Sequence, residues 1–282
     1  MHSRPARTTR WRRAFAAEAR AERPDLALLC LLIGAEADPV FGEAGLSAVR
    51  RQFDQLAELL PRRPAGPPEW AAATAELLGA RFGFRGRPGD YQHLESSLLH
   101  HVLRRRRGLP ILLSVVWIEV ARRAGAPVYG VALPGHFVVG FGRPDSGEEA
   151  VLADPFGGGR VLSCADAQLL VAGATGAPLD PAMLRPAEPL DIVLRVLNNI
   201  RVWAAARPER SDVALWAVDL ALLLPAHEDR LHHDRALILV RLGDFRAGAA
   251  ELDRYADTLA ATDEAAAERV RQQARAARAR LN

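Results

Sequence analysis

"GLPILLSVVWIEVARRAGAPVYGVALPGHFVVGFG", Gly108 to Gly142, contains the change of pattern on which the fold turns. Its first half is apolar nearly all round, with Pro110 where a first-turn proline is tolerated and Gly125 as a stop, so it predicts a central buried helix over 110–124. Beyond it the period shortens. "PVYGVAL", "HFVVGFG", "AVLAD" and "RVLS" are short runs of strand formers cut by Pro, Gly, Asp and Ser, which predict a region of short strands. His136 follows a Pro-Gly turn and opens one of these runs, where Val or Thr would make the better strand. It is either a satisfied core histidine or a side chain presented for chemistry.

Working outward, residues 8–22, 25–36, 44–61 and 69–82 carry apolar residues at three- and four-residue spacing and predict a helical N-terminal layer. A helix over 93–106 ends in "RRRRG"; the arginines suit a helix C-terminus, and Gly108 is expected just past it. From about residue 189 the pattern is helical to the end, in pieces cut at "RPERS", "LPAHED", "RLGDF" and "AATDE". "SDVALWAVDLALLLP" and "GDFRAGAAELDRYAD" are similar and stand about one tetratricopeptide period apart, with "LGDF" at the turn between a repeat's two helices. The expected division is N-terminal helices over 1–36, a core over 37–188 and helical repeats over 189–282.

Composition narrows the function classes. At 49% hydrophobic and 25% charged, 282 residues make a globular chain with a full core. Every basic residue is Arg, yet 34 acidic residues are interspersed among them, which reads as solvated surface and not as a nucleic-acid footprint. Cys30 and Cys164 fall in expected helical segments with no CxxC spacing, so neither a disulfide framework nor a zinc site is indicated, and a reducing cytoplasmic setting fits. "RWRRAF" and the later "LALLCLLIGA" are separated by a charged stretch and read as helices, not as an export signal, and no apolar run spans a bilayer.

No cofactor is expected. "FGGGR" lacks the Lys-Ser/Thr and following helix of a phosphate loop and reads as a hairpin turn. The pairs His100-His101 and His232-His233 lack carboxylates at ligand spacing, although His227, Asp229 and His233 could meet at one helix end; no metal set is assigned. Glu119, inside the apolar helix, needs a partner, which an Arg of the "RRRRG" turn could supply.

A central helix followed by strands, with His136 at one strand start and Asp154 near the end of another, is the order of a transglutaminase-like, papain-type core. "LLHHVLRRRRGLPILLSVVWIEVARRAGAPVYGVALPGHFVVGF" and "LADPFGGGRVLS" resemble the bacterial transglutaminase-like proteins with a tetratricopeptide tail, a family named after an invasion-gene regulator. The resemblance runs from about residue 40 to the end and is densest from Leu98 to Ser163, with "GLPI", "PGHF" and "DPF" its most telling pieces. It implies an α+β fold and matches His136 and Asp154 to the superfamily's catalytic histidine and aspartate. The nucleophilic cysteine belongs at the start of the central helix, where this chain has Pro110; where the family pattern has an Asn, this chain has Ser96.

Two functions from different classes follow. The favoured one is a non-enzymatic interaction or regulatory protein on a degenerate core, binding a protein or peptide through its helical repeats. The alternative is a cryptic hydrolase or acyl-transferase using His136 and Asp154 with water or Ser114, which lies one turn below Pro110 on the same helix face.

Overall fold

The computed structural model describes residues 6–62, 64–144, 150–226 and 228–281. The chain separates into two compact units, Arg23–Val196 and a second made of the segment up to Glu22 with Leu197 onward. These boundaries differ from the expected cuts at 36/37 and 188/189, because the first helix belongs to the C-terminal unit and the second cut falls inside α8 (Pro189–Ala205).

The larger unit is built around α6 (Pro110–Arg123). Pro110 sits at the first helical position, where its missing N–H is no loss, and Gly125, at φ 94°, ends the run in a left-handed conformation that only glycine adopts freely. Every residue from Pro110 to Ala121 is buried. Helices α2 (Leu26–Ala37), α3 (Glu43–Ala57), α4 (Pro67–Thr74) and α5 (Leu99–Arg105) pack around it together with two strands. Fully burying side chains such as Leu112, Val116 and Trp117 stabilises the unit by about 1.5–3 kcal/mol each.

Strands β1 (Val128–Val131), β2 (Val138–Phe141), β3 (Val151–Asp154) and β4 (Arg160–Leu162) form one antiparallel sheet in chain order, with Val139 opposite Ala153 and Asp154 opposite Arg160. All four residues of β2 are buried, since α6 and α4 pack against that strand and a second apolar cluster joins Val131, Val138, Leu152 and Leu162 to Ala167 and Val171 of α7 (Cys164–Thr175). "FGGGR" is the β3–β4 turn, as expected. It must be glycine-rich because Gly158 meets Gly79, in the π-helical continuation of α4, so closely that a Cβ on Gly79 would stand 1.9 Å from the Gly158 carbonyl oxygen.

Three local expectations need correction. The strand containing Val138 begins two residues after His136, which stays in the preceding turn. The left-handed residue that ends α5 is Arg106, at φ 55°, and not Gly108; Gly108 is needed for close packing, a Cβ there approaching Val102 to 2.6 Å. Glu119 pairs with Arg122 at 2.9 Å and Arg123 at 2.8 Å, on its own helix, because i+3 and i+4 neighbours lie within reach without a crossing. Arg107 of the "RRRRG" turn instead donates to buried Asp90 at 3.1 Å.

The second unit contains α1 (Ala6–Ala19), the end of α8, α9 (Ser211–Ala221), α10 (Arg230–Arg241), α11 (Phe245–Ala260) and α12 (Glu264–Ala279). Trp11 and Phe15 of α1 are buried, and Arg12 pairs with Asp219 of α9 at 2.8 Å. In "LGDF", Gly243 takes φ 84° and Asp244 caps α11 by accepting from the Ala247 N–H at 3.1 Å. The α10–α12 core is mostly alanine, including Ala236, Ala249, Ala256, Ala267 and Ala274, so the helices approach closely. No described helix is long and apolar enough to cross a membrane.

Candidate functional site

The "PGHF" turn presents the histidine. The His136 N–H donates to the Leu133 carbonyl at 3.2 Å, with Pro134 and Gly135 at the turn's centre and Gly135 at φ 70°, the Pro-then-Gly order of a type II turn. Asp154 is the last residue of β3, the strand that pairs with the β2 strand following His136. The antiparallel register brings the two together. His136 Nε2 stands 2.9 Å from Asp154 Oδ1, and the same oxygen accepts the Phe156 N–H at 3.0 Å.

The pair is nearly enclosed, the side chains being 14% and 12% exposed. The Phe156 ring stands edge-on to the imidazole, 6.0 Å between centroids. An ionised carboxylate can only accept, so it selects the tautomer with hydrogen on Nε2 and leaves Nδ1 as the basic nitrogen. Among the described residues Nδ1 takes no hydrogen bond. Chemically, the arrangement can take up a proton at Nδ1 while Asp154 holds the ring plane and stabilises the imidazolium.

Arg195 of α8 holds this turn from behind. Its Nη2 donates to the carbonyls of His136 at 2.7 Å and Leu133 at 3.0 Å, and its guanidinium lies 5.6 Å from the Phe137 ring centroid. Burial pushes the Arg195 pKa down, although Tyr91, whose ring centroid lies 6.4 Å from that of Phe156, works against the shift. Burial likewise pushes the Tyr91 phenol up. Sequence reading passed over Arg195, although an arginine inside the apolar "DIVLRVL" signals a buried cation in need of acceptors.

The other site candidates fall differently. Ser114 is fully buried and its Oγ donates to the Phe137 carbonyl at 3.3 Å, so it meets the backbone next to His136 and not the imidazole. Ser96 is buried and its hydroxyl has no hydrogen-bond partner among the described residues. Cys30 is buried in α2, its thiol pushed up to about 12 by burial and by the nearby Asp25 and Glu119 carboxylates. Cys164 opens α7 and is exposed. Neither cysteine hydrogen-bonds His136 among the described residues.

The histidine pairs acquire carboxylates from elsewhere in the chain. His232 Nδ1 lies 3.2 Å from buried Glu251, whereas His233 Nε2 contacts Gln273 at 2.8 Å, so the two diverge. Asp229 stands at the start of α10, and His227 lies outside the described residues. His100 and His101 meet Asp38, which local spacing could not have shown because 62 residues separate Asp38 from His100.

Comparison with known proteins gives this geometry a context. The tetratricopeptide repeat pattern matches residues 200–282. The UPF0162 protein of Xylella fastidiosa is 35% identical over 189 residues, which cover 65% of this chain and 66% of that protein, just under two thirds of its length. Mouse F-box only protein 21 is 31% identical over 100 residues, 34% of this chain and 16% of that protein. A crystal structure of menin overlays with a TM-score of 0.42 at 14% identity, covering 88% of this chain and 69% of that one. The pattern of the transglutaminase-like superfamily matches residues 47–198, which contain α6, the whole sheet, His136 and Asp154, and the chain belongs to that superfamily.

Proposed function

We propose that this protein is a non-enzymatic interaction or regulatory protein, in which a transglutaminase-like core without its nucleophile supports a tetratricopeptide tail that binds a protein or peptide. One observation carries the reading: His136 and Asp154 are paired at 2.9 Å, while the start of the central helix, where attack would originate, is occupied by Pro110. Acyl transfer through a covalent intermediate needs a thiolate or hydroxyl within hydrogen-bond reach of the base. Ser114 does not meet that need, since its hydroxyl is committed to the Phe137 carbonyl. The paired histidine and aspartate then serve to fix the "PGHF" turn.

Support for the binding half comes from a groove of about 320 Å³ in the C-terminal unit, lined by residues such as Arg201, Val202, Asp234 and Leu237. Val202 is 72% exposed there, an apolar side chain open to a partner's apolar residue, and the Arg201–Asp234 ion pair supplies polar contacts beside it.

The test has two arms. Treating the native chain with a fluorophosphonate or iodoacetamide probe is expected to give no His136-dependent labelling; labelling lost in His136→Ala would establish the cryptic enzyme and overturn this reading. Affinity capture is expected to recover a protein partner with the intact chain and to lose it with Val202→Asp, which alters an exposed position and spares the core.

A further inference from the structure

A second histidine-rich cluster lies in the larger unit, outside the His136 site. Asp38 closes α2, and His100 and His101 stand in the first turn of α5. One ligand atom from each of the three lies within 4.8 Å of the others.

His100 is the unusual member. Its side chain is 6% exposed, yet neither ring nitrogen has a hydrogen-bond partner among the described residues. A buried imidazole normally finds a partner for at least its N–H. The ring is held in one plane by stacking on Phe41, 4.1 Å between centroids at 16°. Its Nδ1 edge packs over Gly34, where an added Cβ would come within 2.5 Å of Nδ1. That leaves the Nε2 edge, which faces Asp38 Oδ2 at 3.5 Å.

This spacing is too long for a good N–H···O hydrogen bond. It is close to the separation of about 3.3 Å between two ligand atoms bound at 2.0–2.1 Å in a tetrahedral metal shell. Asp38 Oδ1 is already anchored by the Val40 N–H at 2.8 Å, so the carboxylate is oriented with Oδ2 toward the histidine, as ligating carboxylates are held by outer hydrogen bonds.

We propose that Asp38, His100 and His101 form a binding site for a divalent first-row transition ion such as Zn²⁺, through Asp38 Oδ2, His100 Nε2 and one nitrogen of His101. Two imidazoles and one carboxylate are a donor set suited to that class of ion, and three protein ligands leave a position for water or an exogenous donor. Ca²⁺ takes about six to eight oxygen ligands, whereas Asp38 is the one carboxylate grouped with these two imidazoles among the described residues.

Arg104 is the competitor. Its Nη2 lies 2.7 Å from His101 Nδ1, which must therefore act as the acceptor. If the ion takes Nδ1, that lone pair is used; if the ion takes Nε2, Nδ1 carries the proton and faces a donor. In both cases Arg104 leaves, and its exposure makes that movement cheap.

The experiment is calorimetric titration of the EDTA-stripped full-length chain with ZnCl₂. One ion per chain is expected, with Asp38→Asn and His101→Ala each weakening binding by at least about tenfold. Arg104→Ala is expected to tighten it by about two- to fivefold. Circular dichroism melts of the metal-free variants establish that they remain folded; both substitutions fall outside the packed interior, whereas His100 is left intact because its loss would open a cavity. The proposal is overturned if the wild type takes up no stoichiometric Zn²⁺, or if either Asp38→Asn or His101→Ala binds it as tightly as the wild type.

Discussion

Two histidine–aspartate pairs sit in the same unit of this protein and behave differently. His136 and Asp154 are 2.9 Å apart in a hydrogen bond, with the aspartate also capping a backbone N–H. His100 and Asp38 are 3.5 Å apart without one, with the imidazole more deeply buried and clamped against an aromatic ring. The first pair is closed on itself and fixes a turn; the second leaves a nitrogen and an oxygen facing one gap. The difference teaches that 0.6 Å and the identity of the outer contacts, more than the residue types, decide whether such a pair closes in a hydrogen bond or leaves its donor atoms free for another ligand.

Acid should break the comparison most strongly. A ring whose folded pKa is depressed from 6.5 to about 4 takes its proton more readily in the unfolded chain. Its contribution to stability is therefore complete above pH 6.5 and is lost as pH falls toward 4, a change of order 3 kcal/mol. Urea midpoints of the metal-free chain between about pH 7 and pH 4, compared with His100→Phe, measure it; an equally steep decline in the variant would assign the loss to other groups. The facing groups are Asp38, which offsets the depression, and His101 and Arg104, which deepen it.

Next in size is the support of the His136 turn. Arg195→Met leaves the Leu133 and His136 carbonyls without their charged donor and is expected to cost about 2 kcal/mol in chemical denaturation. No change in stability would show that the clamp is idle. The smallest effect sharpens the contrast between the two carboxylates. Asp154→Asn puts an amide where the imidazole's acceptor stood and should cost about 1 kcal/mol, whereas Asp38→Asn in metal-free protein keeps an oxygen for the Val40 N–H and should stay within about 0.5 kcal/mol. Equal costs would mean that the two pairs are energetically alike after all.

Much of the core was legible because its signals are local. The nearly all-apolar run after Pro110, stopped at Gly125, reads as a buried helix, and the change to short runs of strand formers separated by Pro and Gly placed the strands to within a few residues. His136 and Asp154 were legible through their places at a turn and a strand end, together with the family resemblance. Arg195 was not singled out because its acceptors, the Leu133 and His136 carbonyls, lie about 60 residues away, so nothing beside it in the sequence names them. The partner of Glu119 was misread for the opposite reason: the helix's own i+3 and i+4 arginines reach it, and a distant turn was not needed.

The amino-acid order by itself determined the buried central helix, the short strands and the repeat-like tail, since each follows from residue type and periodicity over a dozen neighbours. Only the tertiary structure decided that α1 belongs with the C-terminal unit and that Asp38 faces His100. The physical reason is that contacts between distant segments depend on how apolar faces pack together, and a linear pattern shows which face is apolar without naming the surface that will cover it.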